Sequence, residues 1–226
     1  MTEDAFRPAR TPRVHDLVYL PDRSALSAVD GSALSADAAD AAAWSGGDDP
    51  VGVWVVVRRG RAGPGEVPVG IRGPARSARF AAAVLRSGIG CVVEPWGVPL
   101  PPEARPGGIA PAWDGLESFR AQAATLGARR WGPSGSVAFE LVSGRPTVSR
   151  ASDLDLVVDA PAPLPTAEVE ELLRLADAAP CHVDIQVITP AGGFALREWA
   201  TARGGRIALR TEDGVRSTVD PWAGDP

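Results

Sequence analysis

The sequence predicts an α/β (α+β) fold in two domains: a smaller basic α/β domain over residues 1–108, then a mixed sheet covered by helices over residues 109–226. Three observations support this prediction. Short runs rich in Val and Ile alternate with runs whose apolar residues recur at helical spacing. A segment dense in proline and glycine, residues 99–108, separates the two halves. The 226 residues, of which 45% are hydrophobic, can bury a sizeable core without disulfide bonds.

In the first half, valine-rich runs predict strands, and two alanine-containing runs predict helices. Val51–Arg58 is dense in valine, which favours a buried strand. Gly73 and Pro74 open a run with apolar residues at helical spacing, so we expect a helix from Pro74 to about Arg86. The other elements expected here are a short first element at Val14–Leu20, a helix at Asp37–Trp44, and strands at Val67–Arg72 and Ile89–Glu94.

The second half alternates between helical and extended periods. Thr166 is expected to cap a helix that runs to about Ala178, and His182–Thr189 alternates as a half-buried strand. Glu212-Asp213-Gly214 is a hairpin turn signal between two short strands. The remaining expectations are helices at Trp113–Leu126, Val137–Val142 and Gly193–Ala202, a glycine-bearing turn at Trp131–Ser136, and strands at Ser152–Val158, Ile207–Thr211 and Val215–Val219.

Composition and charge exclude several classes of protein. The longest apolar run in the middle of the chain, Val51–Val57, has about seven residues, whereas a membrane span needs about 20. The first thirty residues lack the apolar segment of a signal peptide, so we expect a cytoplasmic protein. The net charge is −5, with a basic excess confined to residues 51–105, which hold eight Arg and three acidic residues. This balance favours a small anionic ligand over long nucleic acid.

Three aspartates stand in apolar surroundings, where an isolated carboxylate is costly. Asp153 and Asp155 are two residues apart in a predicted strand, so their side chains face the same side. Side by side they repel each other, and burial adds to the cost. A divalent cation removes both penalties, because Mg²⁺ is typically held by one or two carboxylates and substrate phosphates. Asp184, in a second apolar strand, offers a third carboxylate if the two strands are neighbours.

A turn containing Ser134, Gly135 and Ser136 precedes a predicted short helix. Backbone N–H groups and a hydroxyl at such a turn can bind a phosphate. Each motif alone is weak, because Asp-x-Asp often marks only a solvated strand end. Their order is more specific: the Gly-Ser turn comes first, then Asp-x-Asp in an apolar strand, then Asp in a later apolar strand.

Residues 58–79 hold six Arg and one acidic residue. In the helix predicted from Pro74, Arg76 and Arg79 are three residues apart and share a face, with Arg72 beside the helix start. A helix N-terminus flanked by guanidinium groups favours anions. The same arrangement also suits a solvated basic face of a surface helix, and the sequence leaves both interpretations open.

The order of the motifs resembles the nucleotidyltransferase superfamily, whose metal-dependent members transfer a phosphoryl-linked group and release pyrophosphate. Within that superfamily the chain resembles the malonate decarboxylase holo-[acyl-carrier-protein] synthase family, over nearly its whole length except residues 1–13 and 27–49. The segments that carry the resemblance are Trp131–Leu141, Ser152–Leu156, Pro180–Gln186, Val14–Leu17, Val69–Gly73 with Arg76, Arg79 and Phe80, and Asp220–Trp222.

This resemblance implies a nucleotidyltransferase-like C-terminal domain and an enzyme with a defined reaction. The enzyme would move the phosphoribosyl-dephospho-CoA group from 2'-(5''-triphosphoribosyl)-3'-dephospho-CoA to a serine of the decarboxylase's acyl-carrier subunit, with pyrophosphate as the leaving group. Asp153 and Asp155 would hold Mg²⁺, and Asp184 would either complete a second metal site or act as the general base. The implied substrate-binding residues are Ser134, Gly135, Ser136, Arg72, Arg76 and Arg79, with the three arginines serving either the donor phosphates or the carrier.

Two other functions stay open on the sequence alone. One is a general Mg²⁺-dependent nucleotidyltransferase that moves AMP to a small molecule or protein; the basic N-terminal domain weighs against it. The other is a catalytically silent nucleotide-binding module. The three aspartates weigh against this module, because an inactive copy has no reason to keep buried, mutually repelling carboxylates.

Overall fold

The computed structural model describes residues 11–75, 77–100, 110–122 and 129–223. These residues divide into two compact units: positions up to 100 together with 138–147 form the first, and 110–122, 129–137 and 148–223 form the second. The boundary predicted near residue 108 lies outside the described residues. The described part of the chain holds two six-stranded sheets and five helices, which confirms a fold of mixed α and β content. None of these helices is long and apolar enough to cross a bilayer.

Six strands form the sheet of the first unit: β1 (Leu17–Leu20), β2 (Leu26–Ser27), β3 (Val53–Val57), β4 (Glu66–Arg72), β5 (Arg79–Leu85) and β6 (Cys91–Val93). They lie in the order β2-β5-β4-β3-β1-β6, and every neighbouring pair is antiparallel. Helix α1 (Ala36–Ser45) begins at the cap residue Ser35 and packs on β3, β4 and β5. Its small buried residues, Ala38, Ala41 and Ala42, let the helix lie close to the valine-rich core of the sheet.

The segment from Arg79 to Leu85 is strand β5, so the helix predicted from Pro74 to Arg86 is wrong. The turn between β4 and β5 is closed by a hydrogen bond from Gly73 N to Ala78 O. β5 then pairs with β4 along its whole length and with β2 on its other side. Its alanine-rich sequence favours a helix locally, but pairing on both edges and complete burial of its centre outweigh that preference.

A hydrogen bond from the Tyr19 hydroxyl to the Asp49 carboxylate fixes the loop between α1 and β3. The same carboxylate accepts hydrogen bonds from the backbone N–H groups of Val51 and Gly52. The hydrogen bond between the two side chains raises the pKa of Tyr19 to about 12 and lowers the pKa of Asp49 to about 2. Because each pKa is shifted by folding, this contact makes the stability of the protein depend on pH.

We expect Tyr19→Phe to lower the free energy of unfolding by an amount that varies with pH. The pKa of Tyr19 rises from 10.0 to about 12 on folding, so its contribution is full below pH 10 and is lost as the pH rises through 12. The pKa of Asp49 falls from 3.8 to about 2, so its contribution is lost as the pH falls through that range. Urea unfolding of both proteins across this pH span is the measurement, and a difference that does not vary with pH would contradict the prediction.

The sheet of the second unit is mixed. Its strands are β7 (Trp131–Pro133), β8 (Leu154–Asp159), β9 (Val183–Thr189), β10 (Gly192–Ala195), β11 (Ile207–Thr211) and β12 (Gly214–Thr218), in the order β12-β11-β10-β9-β8-β7. Only β8 and β9 run parallel among these described strands; the other neighbouring pairs are antiparallel. The helices of this unit are α2 (Pro111–Ala121), α4 (Thr166–Ala178) and α5 (Leu196–Ala202). Helix α3 (Gly135–Ser143) begins in this unit, and its residues from Ala138 onward are grouped with the first.

Helix α4 connects the two parallel strands, as a parallel pair requires. Helices α4 and α5 pack on β9, and α2 packs on β8. Alternate residues of β9 are buried, and the residues between them, including Asp184, are half-buried. One face of the parallel pair therefore supplies the core, and the other face keeps its polar side chains.

Most of the elements predicted for the second half are confirmed, and three details are corrected. The turn predicted at Trp131–Ser136 is instead strand β7, which pairs with β8, followed by the start of α3 at Gly135. Helix α4 has the predicted bounds, and β11 and β12 form the predicted hairpin. Thr166 does not cap α4: Pro165 precedes the helix and no side chain caps it. The helix predicted from Gly193 begins only at Leu196, because Gly192–Ala195 pairs with β9 as strand β10.

Candidate functional site

The structure brings the aspartates of the Asp-x-Asp motif and the later aspartate to the same end of two neighbouring strands. Asp155 of β8 and Asp184 of β9 are register partners in the parallel pair, and neighbouring strands lie about 4.8 Å apart. Asp153 immediately precedes β8, and the hydrogen bond from Leu154 N to His182 O joins the two chains at that level. All three aspartates are half-buried. The expectation that the two strands are neighbours is therefore confirmed.

The Gly-Ser turn lies directly against Asp155. The backbone N–H of Ser134 donates a hydrogen bond of 2.8 Å to Asp155 O, which extends the pairing of β7 with β8. Gly135 has φ +59, a conformation that side chains disfavour. A Cβ on Gly135 would also overlap the carboxylate of Asp155. Glycine is required here for two separate reasons, and its absent side chain leaves the carboxylate next to the first turn of α3.

Negative charge is concentrated where Asp155 and Asp184 lie opposite each other in the second unit. Directly opposed like charges on neighbouring strands destabilise a sheet, and Asp155 and Asp184 form such a pair. The nine-residue helix α3 begins at Gly135, so its positive end stabilises nearby negative charge. Ser134 is buried, whereas Ser136 is half-buried in the first turn of that helix.

Gln186 is a further polar residue of this face that the sequence analysis missed. Its side-chain amide donates a hydrogen bond of 3.0 Å to Asp184 Oδ2. The two residues are separated by one position in β9, so strand alternation puts them on the same face. That alternation was visible in the sequence, and it is the signal that could have identified Gln186. The hydrogen bond restrains one oxygen of Asp184.

The chemistry of this face fits a hard divalent cation. Its candidate ligands are carboxylate oxygens, which Mg²⁺ prefers, and Mg²⁺ is usually held by one or two carboxylates plus substrate phosphates. The described part of the chain contains no group of three or more His, Cys, Asp or Glu side chains placed to hold a metal by themselves. A cation at this face would therefore need oxygen ligands from a bound phosphate in addition to these carboxylates.

The predicted arginine site is rearranged in the first unit. Arg72 and Arg79 are register partners at the ends of β4 and β5, so Arg79 does not lie on the predicted helix face. Arg76, the other residue predicted on that face, lies outside the described residues. An anion site at the N-terminus of a helix from Pro74 is therefore wrong, because no helix forms there. Arg79 is exposed, whereas Arg72 is buried. Phosphate binding by Arg72, Arg76 and Arg79 stays a prediction.

Arg72 is held within the first unit by contacts to Phe139 of α3 and to Thr147 in the segment that follows that helix. Its guanidinium lies 5.8 Å from the centroid of the Phe139 ring and donates a hydrogen bond of 3.4 Å to Thr147 O. The carboxylate of Glu140, which is 1% exposed, accepts a hydrogen bond of 2.6 Å from Thr147 N. The Arg72 guanidinium and the Glu140 carboxylate are thus both hydrogen-bonded to the backbone of Thr147. These hydrogen bonds explain how the two charged side chains are tolerated in the core.

We expect Glu140→Ala to lower the free energy of unfolding by about 3 kcal/mol, because it removes a buried carboxylate and leaves the backbone N–H of the half-buried Thr147 without this acceptor. Urea unfolding measures the change. Glu170→Ala is the matched control, because Glu170 is an exposed residue of α4. Equal stability of the two variants would contradict the role given to Glu140.

Comparisons with known proteins place this chain in a family. Two family models match it: the phosphoribosyl-dephospho-CoA transferase MdcG N-terminal domain over residues 13–95 and the C-terminal domain over residues 103–221. Relatives named phosphoribosyl-dephospho-CoA transferase include one from Pseudomonas putida (strain GB-1), 38% identical over 94% of this chain and 96% of its own length. Another, from Klebsiella pneumoniae (strain 342), is 36% identical over 94% of this chain and 97% of its own length.

A relative of the same name from Pseudomonas fluorescens is 40% identical over 81% of this chain and 86% of its own length. No solved structure gives a significant match. The two family models cover both described units, including the aspartates of β8 and β9. The chain therefore belongs to the phosphoribosyl-dephospho-CoA transferase MdcG family.

Proposed function

We propose that this protein transfers the phosphoribosyl-dephospho-CoA group from 2'-(5''-triphosphoribosyl)-3'-dephospho-CoA to a serine of the apo acyl-carrier subunit of malonate decarboxylase, with release of pyrophosphate. Membership of the family supports the transferred group. The observation that carries the chemistry is the pairing of Asp155 with Asp184 on parallel strands, beside the glycine that opens α3. That arrangement suits a reaction in which negative charge develops on phosphate oxygens.

The reaction is an in-line displacement at the α-phosphorus of the triphosphate arm. The serine Oγ forms a new bond to that phosphorus, and the bond from the phosphorus to the bridging oxygen of pyrophosphate breaks. Pyrophosphate leaves with the electron pair of the broken bond. The hydroxyl proton must pass to a base within hydrogen-bond reach.

We assign the proton to the Asp184 carboxylate. Gln186 donates a hydrogen bond to Asp184 Oδ2, which leaves Oδ1 to accept a proton. The first turn of α3, with the backbone of Gly135 and the hydroxyl of Ser136, would bind the triphosphate oxygens. Ser134 would act through its backbone, since its N–H already fixes β8 beside this turn.

Asp153 and Asp155 would hold Mg²⁺, and Asp184 would join them as a ligand only if another group took the serine proton. When bound, the cation neutralises charge on the phosphate oxygens and on the leaving pyrophosphate. Without it, the paired carboxylates would repel a triphosphate. We therefore expect transfer to require a divalent cation and to stop when EDTA is added, which the mass measurement below can test.

The intact mass of the apo carrier subunit tests this function. The subunit is incubated with this protein, Mg²⁺ and the triphosphoribosyl donor, and a gain equal to the phosphoribosyl-dephospho-CoA group is expected, together with released pyrophosphate. No gain with this donor would overturn the proposal. A gain of the size of AMP, with ATP as donor, would replace it with a general nucleotidyltransferase activity.

A further inference from the structure

Basic side chains from separate parts of the sequence meet at one end of the first sheet. Arg58, Arg59 and Arg61 lie in the turn from β3 to β4, and Arg58 N donates to Pro68 O. Arg86 directly follows β5, and its N–H donates to Gly65 O in the same turn region. We call this end of the sheet the arginine end, and its members are Arg13, His15, Arg58, Arg59, Arg61 and Arg86.

The start of β1 belongs to the same end. His15 N donates to Val57 O, and Val57 N donates to Asp16 O, so the residues before β1 lie beside the last residue of β3. The four strand ends belong to β5, β4, β3 and β1, which are consecutive in the sheet. With neighbouring strands about 4.8 Å apart, this end spans about 14 Å.

The charge of the arginine end is positive among the described residues. It holds five arginines, of which Arg13, Arg58, Arg61 and Arg86 are exposed. Three acidic residues lie at the same level: Asp16, Glu66 and Glu94. Asp16 is buried and accepts a hydrogen bond from Arg13 N, and Glu66 accepts one from Gly63 N. Two of the three carboxylates therefore accept hydrogen bonds from backbone N–H groups nearby in the chain.

His15 provides a second and independent observation. Its φ is +78, in the left-handed region that a histidine disfavours relative to glycine. His15 and Asp16 together hydrogen-bond with the single residue Val57, which is the pattern of a β-bulge. Residues held at such a φ by the surrounding structure cluster at binding and catalytic sites. His15 is half-buried, at the edge of the exposed arginines.

We propose that the arginine end is the docking surface for an acidic face of the acceptor protein. This proposal rests on the proposed function, since it names where the carrier subunit binds. Arginines carried on strand ends that together span about 14 Å suit several carboxylates spread over a protein surface better than one compact anion. The chain as a whole carries a net charge of −5, which disfavours long nucleic acid as the occupant.

Charge reversal tests the docking surface, with the donor and the carrier varied separately. Arg58→Glu is expected to raise the KM for the carrier several-fold at low salt, and Arg58→Glu with Arg86→Glu by about tenfold. The KM for the donor and the kcat at saturating carrier should not change. Arg203→Glu is the matched control, because Arg203 is an exposed arginine that follows α5 in the second unit.

His15→Gly separates a binding role from a structural one. Glycine relieves the unfavourable φ, so the urea midpoint should stay equal or rise, while the KM for the carrier rises. An unchanged KM for the carrier, with either a higher or a lower urea midpoint, would show that the His15 side chain does not bind the carrier. Added salt should weaken binding of the carrier to the wild-type protein more than to the double variant.

Failure of this inference and failure of the proposed function give different results. If the wild-type protein transfers the group and the double variant has an unchanged KM for the carrier, the docking surface is wrong and the function stands. If the KM for the donor rises instead, the arginine end binds the small anion, which also overturns the inference. If the wild-type protein gives no transfer and does not bind apo carrier by fluorescence anisotropy, both proposals fail. Binding of a DNA oligonucleotide in place of the carrier would indicate nucleic acid.

Discussion

Asp155→Asn is expected to reduce kcat for transfer by about 10³-fold, equivalent to about 4 kcal/mol. The carboxylate of Asp155 lies against Gly135 at the start of α3 and opposite Asp184, where we place the cation and the triphosphate. Asparagine keeps the shape of the side chain but removes its charge. Because like charges on opposed strand positions repel, the free energy of unfolding should stay equal or increase slightly. Intact-mass time courses and urea unfolding measure the two effects.

Glu170→Gln is the control for this substitution. It makes the same change from carboxylate to amide on an exposed face of α4 in the same unit. The control should keep the wild-type kcat. Wild-type transfer activity in Asp155→Asn would contradict the role assigned to Asp155. A loss of activity that is accounted for by a loss of stability would show that Asp155 has only a structural role.

Gly135→Ala is expected to reduce transfer by about 10²-fold and to lower the free energy of unfolding by more than about 1 kcal/mol. A Cβ at this position adopts an unfavourable φ of +59 and overlaps the Asp155 carboxylate. The carboxylate must therefore move, and a displacement of about 1 Å at a reacting group costs about 10²-fold in rate. Initial rates with the carrier subunit and urea unfolding are the measurements.

Gly144→Ala separates the cost of the unfavourable φ from the cost of displacing the Asp155 carboxylate. Gly144 also has a left-handed φ, +70, but a Cβ there meets nothing within 4 Å. It should lower stability by about 1 kcal/mol from the backbone alone and leave kcat unchanged. If the two alanine variants have the same kcat, contact with Asp155 is not what makes Gly135 necessary.

The sequence predicted the helix at residues 166–178, the hairpin at residues 207–218 and the Gly-Ser and Asp-x-Asp motifs, because each is signalled over a few neighbouring residues. A local signal also gave a wrong prediction of secondary structure. The alanine-rich run at residues 79–85 has a helical preference, and only its pairing with β4 and β2 makes it a strand. The arginine arrangement inferred from that helix failed with it.

By itself the sequence determined the order of the functional motifs, the excess of arginine in residues 58–79 and the family resemblance. The tertiary structure decided which of those residues meet. It paired Asp155 with Asp184, set Gly135 against Asp155, buried Arg72 beside Phe139 and collected Arg58 and Arg86 at one end of a sheet. The physical reason is that strand order and register depend on which faces can be buried together, and no short stretch of sequence contains that information.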